Sequence, residues 1–372
     1  MDKFVAGHEI NQGRYRAFIP SPINRRWKIT DERVQQLLSQ ADQQIGRLDM
    51  YSRYVELDHY LNIHIAKEAT QSSRIEGTRT DIRETFLGAA EIAPERRLDW
   101  EEVQNYIRAI HEAVTALERL PYSSRLFRQA HRVLMQGVRG QNKQPGDYRS
   151  SQNWIGGASI QDATHVPPPH SEIGRLMSDL EQFANDEINP LPDLLKIAII
   201  HYQFETIHPF LDGNGRVGRL MITLYLVDKG ILKSPILYLS DFFERNRRLY
   251  YDGLNGARHG DLTAWLKFFL TGVIQTADAG IATFDRILQL NRSLPKRLAG
   301  LGSRFDYAML LMEALFRKPV VRSEEVSAIV GRSLPTVNRL LRDLIDLSVI
   351  REIPGDGRHK LYAFQEYLDL FE

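Results

Sequence analysis

The chain has 372 residues, 43% of them hydrophobic, which is enough for two or three domains with substantial cores. Its 48 Lys and Arg nearly balance 47 Asp and Glu, so the overall field gives no reason to expect a polyanion or a membrane surface as partner, and any nucleic-acid contact must be local. Cysteine is absent, which excludes disulfides, thiol catalysis and cysteine metal sites; with no apolar leader in Met1–His8 and no run of about 18 uncharged apolar residues, the expected compartment is the cytoplasm.

In chain order, a turn-rich arm with Pro20, Pro22 and Asn24 comes first. Val34, Leu37, Leu38 and Ala41 then recur at helical spacing. A second helix is expected over roughly Tyr51 to Glu76, stopped by Gly77, the residue type that takes the left-handed conformation after a helix end. Helices at about 100–118 and 122–138 follow. Pro145-Gly146-Asp147-Tyr148 breaks the pattern, Ser150 to His165 reads as a Gly-bearing hairpin, and Pro167 to Pro169 stiffen its exit. Leu194 to Ile207 is apolar on nearly all sides, as a central core helix is, and it delivers His208. The next helix carries Val217, Leu220, Met221 and Leu224 on one face and ends before Gly230, which puts Arg216 and Arg219 together on another face. More helix runs to about Leu290, and Ser293 to Gly302, with Pro295 and two glycines, reads as the interdomain linker. Helices at about 305–316, 323–330 and 334–347 come next. Val349-Ile350-Arg351 and Lys360-Leu361-Tyr362 then flank Pro354-Gly355-Asp356-Gly357, a hairpin signal, and three helices followed by a hairpin describe a winged helix-turn-helix.

The chemistry concentrates in residues 208–219, His-Pro-Phe-Leu-Asp-Gly-Asn-Gly-Arg-Val-Gly-Arg. Gly213 and Gly215 let the backbone turn its N–H groups inward, Arg216 opens a helix whose positive end faces the same spot, and Asp212 can hold a divalent cation there. Taken singly, each residue has a plain reading: Gly-Asn-Gly as a turn, His208 as a helix cap, Asp212 as a turn residue. Taken together they make a polyphosphate site with a base beside it, since an unperturbed imidazole titrates near neutrality and magnesium needs only one or two carboxylates plus phosphates. No Gly-x-x-x-x-Gly-Lys-Ser/Thr loop is present, which argues against an ordinary P-loop hydrolase.

The segment His208 to Arg219 meets every specified position of His-x-Phe-x-Asp/Glu-Gly-Asn-Gly-Arg-x-x-Arg, and in this the chain resembles the Fic (filamentation induced by cAMP) family. Gln152-Asn153-Trp154-Ile155-Gly156-Gly157 is similar to that family's flap hairpin, with Trp154, Ile155 and Gly156 at its centre. Asn246 to Tyr251 resembles the segment shaping the adenine pocket, which adds Tyr250 and Tyr251 to the ATP-binding residues that the resemblance implies. Arg258 departs from the pattern, standing where some relatives carry an adenine-facing asparagine. The resemblance covers about residues 10 to 280 and implies an all-α fold: an N-terminal helical region (1–98), a Fic-type catalytic core with a β-hairpin flap (99–292), and, outside it, the winged helix-turn-helix (303–372). It further implies AMP transfer from ATP to a protein hydroxyl. His208 would deprotonate a Ser, Thr or Tyr hydroxyl attacking the α-phosphorus; Asp212 would hold Mg2+; the Gly213, Asn214 and Gly215 amides and the Asn214 side chain would cradle phosphates; Arg216 would take the β- and Arg219 the γ-phosphate. Val217 and Gly218 fall within the same ATP-binding stretch. Phe210 would anchor the loop, and the flap would pair with an extended target segment by strand addition.

Ser72-Ser73-Arg74-Ile75-Glu76-Gly77 resembles the family's inhibitory Ser/Thr-x-x-x-Glu-Gly/Asn. A carboxylate in the last turn of a helix opposes the macrodipole and calls for a cationic partner. If Glu76 pairs with Arg219, it occupies the γ-phosphate fork and the enzyme is self-inhibited; as in some relatives, the same glutamate could orient a water for AMP removal. The rival reading, a Ser73-to-Glu76 capping box, conflicts with Gly77, which marks a helix end. Residues 303–372 carry ten Lys and Arg against eleven Asp and Glu, but Arg332, Asn338, Arg339 and Arg342 cluster on or beside the expected recognition helix and Arg358, His359 and Lys360 in the wing. Two readings stand: DNA binding, or a protein-contact or dimerisation module with solvated charges, so that a homodimer is one expected partner. Rival functions for the whole chain are a transcription regulator with a Fic-like sensor, which the intact His208 and arginine pair oppose, and transfer of another phosphate-containing group.

Overall fold

The computed structural model describes residues 4–54, 58–354 and 360–371. The elements run β1 (Gly7–Asn11), β2 (Arg16–Pro20), α1 (Glu32–Tyr54), α2 (Asp58–Ile75), α3 (Arg97–Leu117), α4 (Ser124–Leu134), α5 (His170–Asn185), α6 (Asp193–Ile207), α7 (Asn214–Asp228), α8 (Ser240–Arg245), α9 (Arg247–Arg258), α10 (Leu262–Leu298), α11 (Phe305–Arg317), β3 (Val320–Arg322), α12 (Ser323–Val330), α13 (Leu334–Asp346), β4 (Arg351–Ile353), β5 (Leu361–Ala363) and α14 (Gln365–Leu368), with short 3-10 turns between several of them. The fold is predominantly helical, and among the described residues no helix is long and apolar enough to cross a membrane.

The apolar run ahead of His208 becomes α6, in which every residue from Leu194 to Ile207 is buried. A helix buried all round must be wrapped by others, and α5, α7, α9 and α10 pack against it. Helix α10 spans 37 residues, about 55 Å at 1.5 Å per residue, and lies along α1. Leu37, Leu38, Ala41, Ile45 and Leu48 form the buried stripe of α1 that meets it.

Several elements depart from the sequence expectation. The turn-rich arm contains an antiparallel hairpin, β1 against β2 with Gly7 opposite Pro20, and Phe18 N–H donates to the Val166 carbonyl at 2.9 Å. The expected helix from Tyr51 to Glu76 is divided: α1 runs through Tyr54 and α2 starts at Asp58. Helix α5, not anticipated, buries Ile173, Leu176, Met177, Leu180 and Phe183. The expected linker is largely helix, because α10 continues through Pro295 to Leu298 with Leu294 and Leu298 buried. Proline removes one helical hydrogen bond, and here the buried leucines on either side outweigh the loss. The chain breaks instead at Gly302, whose φ of 56° and ψ of −124° suit glycine alone.

Beyond Gly302, α11, α12 and α13 are followed by a three-stranded sheet in the order β3-β5-β4, all antiparallel. Asn338, Arg339 and Arg342 are exposed on α13, Arg332 lies over the Tyr307 ring, and Lys360 pairs with Glu352 at 3.0 Å. Arg358 and His359 lie outside the described residues. This part of the chain packs on α2: the Tyr60 ring meets Phe316 and Tyr367 edge-on, and His64 meets Phe371.

Candidate active site

Helix α6 ends because His208 takes a left-handed conformation, φ 50° and ψ 60°, uncommon for a residue with a side chain. The surroundings impose it. His208 N–H donates to the Phe204 carbonyl at 2.9 Å, and the His208 carbonyl accepts from Arg149 Nε at 3.0 Å. Arg149 is buried and also donates to the carbonyls of Ser151, Pro168 and Ile207, while its own N–H donates to the Pro209 carbonyl. A charged donor shared among backbone acceptors holds a loop that regular secondary structure cannot. Burial draws Arg149 down to about 10, which leaves it charged at neutral pH.

The next five residues are fastened from two sides. Asn214 Oδ1 accepts from Phe210 N–H and its Nδ2 donates to the Phe210 carbonyl, both at 2.8 Å. Its amide is therefore a clamp on the loop, and its backbone N–H lies at the front of α7. Phe210 is buried and stacks on the His131 ring at 3.8 Å and 8°. His131 Nδ1 accepts from Gly146 N–H, so Nε2 carries the proton and donates to the Asp212 carbonyl at 3.0 Å. Asn214→Ala would leave the buried Phe210 N–H unpaired; the expected result is a loss of about 2 kcal/mol in urea unfolding, and an unchanged midpoint would deny the clamp.

Gly213, at φ 75°, caps α7, whose first turn presents the Asn214, Gly215 and Arg216 amides at the positive end of the helix. Two further residues of the expected ATP-binding stretch pack inward. Val217 is buried in the core, and Gly218 lies against α6, where a Cβ would come 2.2 Å from Glu205 Oε1. Asp212 has a side chain 46% exposed, with Oδ1 accepting from Gly213 N–H at 2.6 Å. Among the described residues no group of three or more metal-ligating side chains occurs. One open carboxylate at an anion-facing helix start suits an ion held by phosphates and water as well, which is how magnesium binds, and not a caged metal. Arg216 is buried and pairs with Glu102 at 3.3 Å, and Glu102 in turn accepts from Arg139 at 2.7 Å.

Arg219 is the other cation of the motif and the cationic partner that Glu76 requires. It is buried; Nε donates to Ser72 Oγ at 2.8 Å, and Nη2 donates to the Ser72 carbonyl at 2.9 Å and to Glu76 Oε1 at 2.7 Å. Helix α2 ends at Ile75 and Gly77 has φ 102°, so Ser72 and Glu76 belong to a helix end and the capping-box reading fails. Burial raises the Glu76 carboxyl, but Arg219 outweighs it and the net shift is downward. The carboxylate rests over the front of α7: a Cβ at Gly215 would come 2.4 Å from Glu76 Oε1.

Burial holds His208 down at about 3, helped by the charges of Arg258 and Arg149, so its imidazole is neutral at physiological pH. Its Nδ1 has no hydrogen-bond partner among the described residues and lies 4.0 Å from Glu205 Oε2. Burial raises Glu205 to about 7. Sequence reading missed Glu205, three residues before His208 on a helix whose other residues are mostly apolar, which was the available signal.

Around this centre, Tyr250 is buried with its hydroxyl 2.9 Å from His201 Nε2, while Tyr251 is 41% exposed. His201 Nδ1 donates to the Gly218 carbonyl, so Tyr250 is the donor in its own bond. Arg258 donates to the Glu205 carbonyl at 3.1 Å and to Thr206 Oγ1 at 3.3 Å. The flap is a loop closed by one bridge, Ile155 with His165, and not a regular hairpin, because Gly156 and Gly157 both take positive φ immediately after it. Asn153 Nδ2 donates to the Phe210 carbonyl, and Trp154 is exposed.

A helical domain in which a left-handed histidine leads through a glycine-capped loop into an arginine-bearing helix start is the architecture of the Fic fold. The Fic/DOC family matches residues 121–226 and the Fic/DOC family N-terminal region matches residues 35–115. The chain belongs to the Fic/DOC family. It is 31% identical over 154 residues to a protein adenylyltransferase Fic of Drosophila grimshawi, covering 41% of this chain and 28% of that protein, and 30% identical to the Drosophila melanogaster counterpart over 41% and 27%. The chain thus spans little more than a quarter of the length of these curated relatives. Its fold is similar to a Fic family protein from Desulfovibrio desulfuricans G20, with TM-score 0.57 and 22% identity over 91% of this chain and 97% of that one. Fic-1 (residues 134–508) from C. elegans gives 0.52 and 21% over 69% and 73%.

Proposed function

We propose that this protein is an adenylyltransferase that moves AMP from ATP to a Ser, Thr or Tyr hydroxyl of a target polypeptide, restrained by Glu76. The observation carrying this reading is the arrangement at Arg219: a buried guanidinium at the open start of α7, with a carboxylate seated on it and an uncharged imidazole nearby. The naming of the Drosophila relatives as protein adenylyltransferases supports it.

The chemistry asks for few parts. The target hydroxyl attacks the α-phosphorus in line, His208 takes its proton, the bond from the α-phosphorus to the bridging oxygen breaks, and pyrophosphate leaves. The α7 amides stabilise the phosphates from a fixed position, with no reorganisation during reaction. Arg219 takes the γ-phosphate once Glu76 withdraws, and Arg216, already oriented by Glu102, takes the β-phosphate. Asp212 would hold Mg2+, which supplies charge neutralisation on the phosphates when bound. The single-bridge flap leaves backbone groups beside the site for an extended target segment.

Intact-mass spectrometry of Glu76→Gly after incubation with ATP, Mg2+ and cell lysate tests the reading. The expected product is a protein heavier by one adenylyl group, with the modified residue mapped to a hydroxyl. A phosphoryl adduct would transfer the site to another chemistry, and no adduct on any protein would remove the activity.

A further inference from the structure

A feature unused by this scheme lies on the other side of the inhibitory helix. A cavity of about 220 Å3 is walled by α2, α8 and α10 and closed at one end by Phe371. Helix α2 contributes His64, Lys67 and Gln71 to it, one to three turns before Ser72 and Glu76 grip Arg219. Two polar atoms on these side chains have no hydrogen-bond partner among the described residues: Nε2 of His64, a residue only 8% exposed, and Oε1 of Gln71. Buried polar groups without partners cost free energy, and where they line a cavity they mark a place for something that completes them.

The charge of the wall selects the occupant. Lys67 and Arg245 both lean on one carboxylate, Asp241, with Lys67 at 3.5 Å. Glu68, also in the wall, is already taken by Ser240 and Tyr106. Lys67 and Arg245 face two carboxylates, Asp241 and Glu68, and the nearby charge of Arg286, which also reaches Lys67, tips the wall to positive. The lysine registers it: burial, and then Arg245 and Arg286, draw Lys67 down to about 8. Burial also keeps His64 neutral, so it offers one donor and one acceptor.

We propose that this cavity is a regulatory site for a small organic anion, one carboxylate or phosphate group with a few polar substituents, whose binding keeps Glu76 on Arg219. The inference rests on the reading of Glu76 as a restraint. Its sign follows from the construction. Because one wall is α2 itself, the site is complete only while α2 is seated, and a ligand that recognises one of two states enriches that state. The coupling is reciprocal: productive ATP binding, which requires Glu76 to withdraw, weakens the anion.

The absence of cysteine from the chain makes the test clean. A single thiol at Thr276→Cys, on the α10 wall, is modified with sulfonatoethyl methanethiosulfonate or with its trimethylammonium counterpart, alone and in a Glu76→Gly background. Ala279→Cys on the same wall serves if the first variant folds poorly. The sulfonate adduct is expected to raise Tm, slow hydrogen exchange at Ser72–Thr78 and lower residual AMP transfer several-fold. The ammonium adduct should do none of these, and neither adduct should alter AMP transfer once Glu76 is glycine. Equal effects of the two adducts, or faster exchange at Ser72–Thr78 with the sulfonate, would overturn the site. If Glu76→Gly itself fails to raise transfer, the proposed function fails, while the exchange and Tm readouts still decide whether the cavity prefers an anion.

Discussion

Replacing Glu76 with glycine raises AMP incorporation by about 100-fold, read as labelled AMP on the protein itself and on target, with pyrophosphate released in equal amount. The size follows from what has to be broken. ATP can place its γ-phosphate on Arg219 only by displacing the 2.7 Å contact with Glu76, and a hydrogen bond between charged groups contributes about 1.5–3 kcal/mol. At about 1.4 kcal/mol per decade, that is roughly one to two powers of ten in the population able to bind productively. The carboxylate adds repulsion, since it lies over Gly215 where phosphate oxygens would come. Ser72→Ala should release less. It removes the hydroxyl that accepts from Nε, but the Ser72 carbonyl and Glu76 still hold Nη2. The Glu76 carboxyl is shifted downward, so its charge, and with it the restraint, persists above the ordinary carboxylate range and is lost only when acid protonates the folded-state group. Mild acidification to pH 6 should therefore leave the wild type at its low, restrained rate. Equal incorporation by Glu76→Gly and wild type would sink the restraint.

Those parts of the molecule that depend on neighbours in sequence were legible from it, and those that depend on neighbours in space were not. The ends of α6 and α7, the stop at Gly77, and the α12-Gly331-α13 turn all follow from local periodicity and glycine. Helix α5 is equally local, with Ile173, Leu176, Leu180 and Phe183 on one face, although the proline run directly before it obscures its start. By contrast, nothing near Arg149 shows that its guanidinium will bind the His208 carbonyl 59 residues away, nor near His131 that its ring will brace Phe210. The pairing of the Asn214 amide with both backbone groups of Phe210 was hidden too, because a motif gives the residue and not its rotamer. Proline and glycine around Ser293 suggested a linker, and the burial of Leu294 and Leu298 overrode them.

His208→Ala, made in the Glu76→Gly background so that there is activity to lose, lowers incorporation by about 10²–10⁴-fold, the usual contribution of a positioned base. Binding of ATP, followed separately by calorimetry, should be little changed, because the imidazole contacts the target's proton and not the phosphates. The pH profile then separates His208 from its neighbour. With His208 held at about 3, protonation of the imidazole does not limit the rate anywhere near neutrality. Glu205, raised to about 7, does titrate there. Its ionised form, 4.0 Å from Nδ1, favours the tautomer with the proton on Nδ1, which leaves the Nε2 lone pair for the incoming hydroxyl. Glu76 is among the charges that raise Glu205, so in Glu76→Gly the rate is expected to climb as pH rises through a value below the wild-type group's, and Glu205→Gln in the same background should flatten that climb while retaining measurable turnover. A limb that survives Glu205→Gln would place the titration on the imidazole itself, and the buried, neutral His208 on which the proton transfer depends would be wrong.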